Sequence, residues 1–215
     1  MIYIPLTETS PASEYWGINL SSCMYGSHPI IRTPIVGIVD TGVSGVFPLY
    51  TDRDTYLFSC LTVILIPDDS FNVYKDQIPG AKFDKEIINL IEIPHSSIED
   101  MKPLHFTFNG HDFTLSANEQ LIPQKMNKVW GGDPEKHYGF VGPMGKFYVQ
   151  GLNFIIGEPF MVKYYTVSSG SSFEKDILNG HLWQVHDAGR KQIGFAEAYV
   201  LIWWDFRNLN LSITA

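Results

Sequence analysis

One carboxylate in this sequence stands where it could do chemistry. The β-branched pair Ile38-Val39 runs straight into Asp40-Thr41-Gly42. The pattern predicts a buried strand that stops at a tight loop and presents a carboxylate. Gly42 lets the backbone turn closely, and the Thr41 hydroxyl can brace the loop on nearby backbone. Such a carboxylate can serve as a general acid or base. Sharing a proton between two carboxylates needs a second one, yet Asp-Thr-Gly occurs once and Asp-Ser-Gly not at all. The tripeptide alone is also compatible with a loop Asp that caps local backbone.

Other chemistries find less support. The seven histidines show neither H-E-x-x-H nor another ligand spacing, so no metal site and no cofactor is expected. His111-Asp112 reads as a solvated turn tip. A serine hydrolase would want G-x-S-x-G, and Gly42-Val43-Ser44-Gly45 has the wrong spacing. Gly139, Gly142 and Gly145 precede no phosphate-binding Lys-Ser/Thr, so that stretch reads as a loop. Asp187 and Asp205 read as structural.

The elements that must position Asp40 come from a chain of 215 residues, enough for one domain or one lobe of a larger protein. Hydrophobic residues make up 45% and charged residues 18%, which argues against disorder. The net charge of −8 argues against nucleic acid or an anionic membrane as partner. Cys23 and Cys60 are too few for a disulfide framework and are read as unpaired. The stretch from Met1 to Glu8 has no basic or long apolar region and is not read as a signal peptide. The apolar run Tyr199 to Trp204 is too short to span a bilayer. Asn19 and Asn210 begin Asn-x-Ser tripeptides, relevant only to a secreted chain.

The pattern is strand-rich. Strands are expected at 35–39, 61–66, 86–93, 104–108, 111–115 and 147–156. The alternation of Leu104 to Phe108 and His111 to Leu115 about Asn109-Gly110 predicts a hairpin. Short helices are expected at 69–76, capped by Asp68 or Asp69 with Phe71 and Tyr74 inward, at 97–101, and at 158–165, opening on Pro159. Dispersed glycine and proline fit a loop-rich β protein.

Several blocks stand in a recognisable order. They are Thr9-Ser10-Pro11-Ala12-Ser13-Glu14-Tyr15-Trp16-Gly17-Ile18, Val36 to Gly42, Phe113 to Asn118, Asn153 to Phe160 with Tyr164-Tyr165, and Gln192 to Ala196. From Tyr3 to about Ala196 the chain resembles the C-terminal lobe of a pepsin-like aspartic protease, most like the secreted enzymes of basidiomycete fungi (the polyporopepsin type). The resemblance implies an all-β fold, a single lobe with a few short helices. It implies an endopeptidase acting on protein or peptide substrates at acid pH, outside the cell, through a water activated by two Asp carboxylates. Asp40 would be the catalytic Asp of this lobe, with Thr41 and Gly42 shaping its loop. Ile156 and Gly157, ending a strand behind that loop, would support it.

The chain departs from the family in three ways. Nothing in it corresponds to the N-terminal lobe, so activity would need that lobe or a homodimer. Val43 stands where the family has Thr or Ser, whose hydroxyl bonds the carboxylate; Val cannot do this. Segments 43–60 and 167–184, each about 18 residues long and each opening Val-Ser, interrupt blocks that otherwise read continuously. Val-Ser is what a 5′ splice site GTGAGT encodes in frame, so translated introns are expected, with genuine loop insertions as the alternative. The tail 197–215 is atypical. The alternative to an endopeptidase is an inactive half-protease or peptide-binding module from a truncated or mis-spliced gene.

Overall fold

A computed structural model describes residues 1–40, 44–49, 57–84, 90–167, 186–187 and 191–197. Its centre is a mixed eight-stranded sheet. Across it run His111–Leu115, Leu104–Phe108, Gly17–Tyr25, Ile35–Val39, Phe154–Ile156, Ile64–Ile66 and Val141–Pro143, with His28–Ile31 also pairing with Gly17–Tyr25. A second sheet joins Ile2–Pro5, Gln192–Glu197 and Tyr164–Val167, with His186–Asp187 on Gln192–Glu197. A third holds Lys82–Asp84, Leu90–Ile93 and His137–Gly139. The α-helices Asp68–Asp76, His95–Ile98 and Glu158–Lys163 are short. The fold is therefore mostly β with a few short helices, as expected.

Local sequence explains much of this. Asn109 and Gly110 sit at φ 47° and 77°, the left-handed pair that a two-residue hairpin turn requires. The register closes with Phe108 opposite His111. The inward residues Leu104, Phe106, Phe108, Phe113 and Leu115 are buried, while His111 and Asp112 are exposed at the tip. On the helix Asp68–Asp76, Phe71 and Tyr74 face the core.

The core is aromatic. The Phe108 ring lies 6.2 Å from Phe154, 6.0 Å from Phe160 and 6.4 Å from Phe195, centroid to centroid. Fully burying each such ring contributes about 1.5–3 kcal/mol. The cluster joins the hairpin, the central strand Phe154–Ile156, the helix after it and the closing strand Gln192–Glu197.

Several expectations need correction. The stretch 147–156 is not one strand. Tyr148 to Leu152 turns back on itself, with Leu152 N–H donating to the Val149 carbonyl at 3.0 Å and Gly151 at φ 86°. Only Phe154–Ile156 extends. The stretch 61–66 breaks at Val63 into Leu57–Thr62 and Ile64–Ile66, which pair in different sheets. Neither Asp68 nor Asp69 caps its helix: Pro67 holds the N-cap position, and Asp68 Oδ1 accepts from Gly145 N–H at 2.8 Å. The helix expected at 97–101 begins earlier, at His95, straight after Pro94. Gly139 and Gly142 lie in strands rather than a loop. Of 86–93, the strand covers Leu90–Ile93 and 86–89 lies outside the described residues.

Part of segment 43–60 is described. Ser44–Leu49 and Leu57–Thr62 form an antiparallel ribbon, Ser44 opposite Thr62 and Leu49 opposite Leu57. Among the described residues the ribbon pairs with no other strand, and its two ends lie side by side. Segment 167–184 beyond Val167 and the tail beyond Glu197 lie outside the described residues.

Candidate active site

Asp40 is positioned by the two strands that flank its own. On one side Gly17–Tyr25 runs antiparallel, with Gly17 opposite Ile38. Val39 N–H donates to the Trp16 carbonyl at 3.0 Å. On the other side Phe154–Ile156 runs parallel, with Phe154, Ile155 and Ile156 opposite Gly37, Ile38 and Val39. Asp40 N–H then donates to the Ile156 carbonyl at 3.0 Å. The backbone is thus fixed on both sides up to the residue that carries the carboxylate.

Burial sharpens this placement. Ile38, Val39, Ile155 and Ile156 are all buried, whereas Asp40 is half-buried at the end of the strand. A carboxylate at such a boundary keeps contact with water while its backbone is held by the core. Thr41 and Gly42, expected to shape the loop, and Val43 after them lie outside the described residues.

Ile156 lies beside Asp40 through its carbonyl. Gly157 is buried and extended, at φ −99° and ψ −167°. Its carbonyl accepts from Phe160 N–H at 3.2 Å, opening the helix Glu158–Lys163. Pro159 falls in the first turn of that helix, where its missing N–H costs nothing.

Two residues that sequence reasoning did not single out complete the scaffold. At Gly37 a Cβ would collide with the Phe154 carbonyl and ring, so the close approach of the two central strands requires glycine there. Asn153 starts the parallel pairing: its N–H donates to the Val36 carbonyl at 2.7 Å, and its Oδ1 accepts from Val36 N–H at 3.4 Å. Both residues stand inside the quoted blocks, yet only the strand pairing reveals what they do.

Tyr15 and Trp16, near this end of the sheet, differ. Tyr15 is 58% exposed, while Trp16 packs partly buried against the core. Among the described residues no three His, Cys, Asp or Glu side chains cluster around one possible metal position. No described helix is long and apolar enough to cross a membrane. Cys23 is a free, buried thiol whose pKa burial pushes up.

No family model matches the sequence. Polyporopepsin from Irpex lacteus is 36% identical over 165 residues, which are 77% of this chain and 42% of polyporopepsin. The crystal structure of the aspartic proteinase from Irpex lacteus matches with a TM-score of 0.68 at 32% identity, covering 92% of this chain and 46% of that one. The chain thus spans less than half the length of the relatives it matches.

Proposed function

The chain is a homologue of pepsin-like aspartic proteases with the fold of a single lobe, and we propose that it serves endopeptidase chemistry in which Asp40 is one of two catalytic carboxylates. The observation that carries this reading is the position of Asp40. It ends a buried strand, half-buried, with its N–H held by the Ile156 carbonyl.

The second carboxylate comes from another Asp-bearing lobe, elsewhere in a longer polypeptide, on a partner chain or on a second copy. Like charges about 3 Å apart cannot both ionise, so the pair shares one proton. The ionised member takes a proton from water as the water attacks the peptide carbonyl. The protonated member donates to the developing oxyanion. Which carboxylate holds the proton is a property of the pair. Thr41 and Gly42 shape the loop, and Ile156 and Gly157 hold it from behind. Protein or peptide is the substrate, and secretion into an acid medium is the setting.

A specific observation favours a second reading, a half-site without activity. Val43 follows Asp-Thr-Gly, and among the described residues the strands Ser44–Leu49 and Leu57–Thr62, next in sequence, pair only with each other. We assign 43–60 and 167–184 to translated introns; transcript reads that retain both in every copy would argue for genuine insertions instead.

The test is cleavage of a protein substrate at about pH 4, near an ordinary carboxylate pKa. The purified chain is assayed alone and mixed with the separately produced N-terminal half of the Irpex lacteus proteinase. Little cleavage by the chain alone and cleavage on mixing are expected, the latter abolished by Asp40→Asn. Cleavage that survives Asp40→Asn rules out the role of Asp40, and none on mixing favours the inactive half-site.

A further inference from the structure

We propose that His95 and His137 form a two-imidazole site for a divalent transition cation such as Zn²⁺ or Ni²⁺, on the third sheet and apart from Asp40. The residues come from elements whose positions are fixed. His137 opens the strand His137–Gly139 and pairs with Ile93. His95 follows Ile93 by two residues, straight after Pro94, at the start of its short helix. The sequence hid the pair, because the two residues lie 42 positions apart.

His95 Nδ1 lies 3.1 Å from His137 Nε2, with the ring planes 25° apart and the centroids 5.2 Å apart. Without metal, one ring donates its N–H to the lone pair of the other. A cation can take the place of that shared proton. Zinc–imidazole bonds of about 2.0–2.1 Å put neighbouring nitrogens about 2.9 Å apart at a right angle and about 3.4 Å apart at the tetrahedral angle. The observed separation falls between these limits, so the two nitrogens are spaced as two ligands of one ion, and the rings must turn to aim both lone pairs at it. Imidazole nitrogen suits zinc, nickel and copper and gives little hold on calcium or magnesium.

The surroundings tolerate the charge. The neighbouring cation, Lys136, is neutralised by Glu92, Nζ to Oε2 at 2.8 Å. The Gln124 side-chain amide, 3.4 Å from His137 Nε2, must give up that contact and keeps its approach to the Lys136 carbonyl at 3.3 Å. His95 is exposed and His137 half-buried, so water can fill the remaining coordination positions. A two-ligand site of this kind exchanges its ion readily.

The test is calorimetric titration of the full chain with zinc chloride and, separately, nickel chloride at neutral pH. One equivalent should bind, and His95→Ala and His137→Ala should each weaken binding about tenfold or more. His111→Ala, at the exposed hairpin tip, should leave it unchanged. A second readout needs no variant: zinc should move the ring NMR signals of His95 and His137 first in the unaltered chain. Absence of binding, or binding with the first shifts confined to other histidines, overturns the proposal. Neither outcome bears on Asp40, because the two sites share no residue.

Discussion

The N–H of Asp40, one position beyond the last pair of two parallel strands, meets the carbonyl of Ile156, a member of that pair, at 3.0 Å. Because the bond is between backbones, no substitution at either residue removes it, proline at position 40 excepted. The direction in which Asp40 leaves the sheet therefore follows the strand Phe154–Ile156. That strand is in turn anchored by the Phe154 ring on Phe108, which itself packs against Phe160 and Phe195.

Gly37→Ala tests this dependence. A methyl there meets the Phe154 ring and the Phe154 carbonyl, and the carbonyl is backbone that cannot step aside. Overpacking of this kind costs about 1–3 kcal/mol. The urea midpoint should fall accordingly, and Asp40-dependent cleavage in the mixed-lobe assay should fall with it. An unchanged midpoint would mean that the two strands separate freely.

The hairpin offers a cleaner measurement of backbone cost. Gly110 has φ 77°, and a Cβ there would meet nothing within 4 Å. Gly110→Ala therefore adds no clash, only a left-handed conformation that side chains disfavour, at about 1 kcal/mol. Loss of several kcal/mol would show that the turn does more than reverse the chain.

These two glycines mark what was legible in the sequence. Asn109-Gly110 announced its turn because the signal is local: alternation on both sides and two residues that accept positive φ. Ile38-Val39 before Asp40, and Pro159 opening a helix, were legible for the same reason. Gly37 was silent because its need arises from Phe154, far along the chain. The long strand expected at 147–156 failed similarly. Phe147, Tyr148 and Val149 are exposed apolar residues beside a turn whose Gly151 has no room for a side chain next to Ser10 and Pro11. The partnership of Asp40 with Ile156 came from resemblance to a family rather than from periodicity.

Acid stability is expected to depend on Glu119. Burial alone raises its carboxyl pKa, but the hydrogen bond from Lys163 at 2.8 Å and the Ser116 N–H at 2.6 Å outweigh it, and the net shift is downward. A lowered folded-state pKa stabilises fully above the unfolded value, and the stabilisation is lost as pH falls through the folded value. The bridge ties the turn Asn118–Gln120 to the helix after Gly157. Glu119→Gln should cost about 1 kcal/mol or less near neutral pH, since the pair is partly solvated. That difference should persist through the ordinary glutamate range and vanish only below it. A difference that disappears already at the usual glutamate pKa contradicts the assignment.

A buried polar link provides the last prediction. Tyr74 O–H donates to Gln120 Oε1 at 3.1 Å, and Gln120 Nε2 donates to the carbonyls of Lys102 at 2.9 Å and Ser116 at 3.1 Å. Both side chains are fully buried, and burial pushes the Tyr74 hydroxyl pKa well up, so it stays a neutral donor. Tyr74→Phe keeps the ring packed edge-on against Tyr25 at 5.2 Å but leaves the Gln120 oxygen without that donor. A buried unsatisfied acceptor costs about 1–3 kcal/mol. The urea midpoint should fall with the slope unchanged, since the surface exposed on unfolding is the same. The double variant Tyr74→Phe with Gln120→Met should cost less than the two single costs summed, because the second change removes the stranded oxygen. Additive losses would mean that Gln120 is held by its backbone partners alone and that the tyrosine hydroxyl contributes independently.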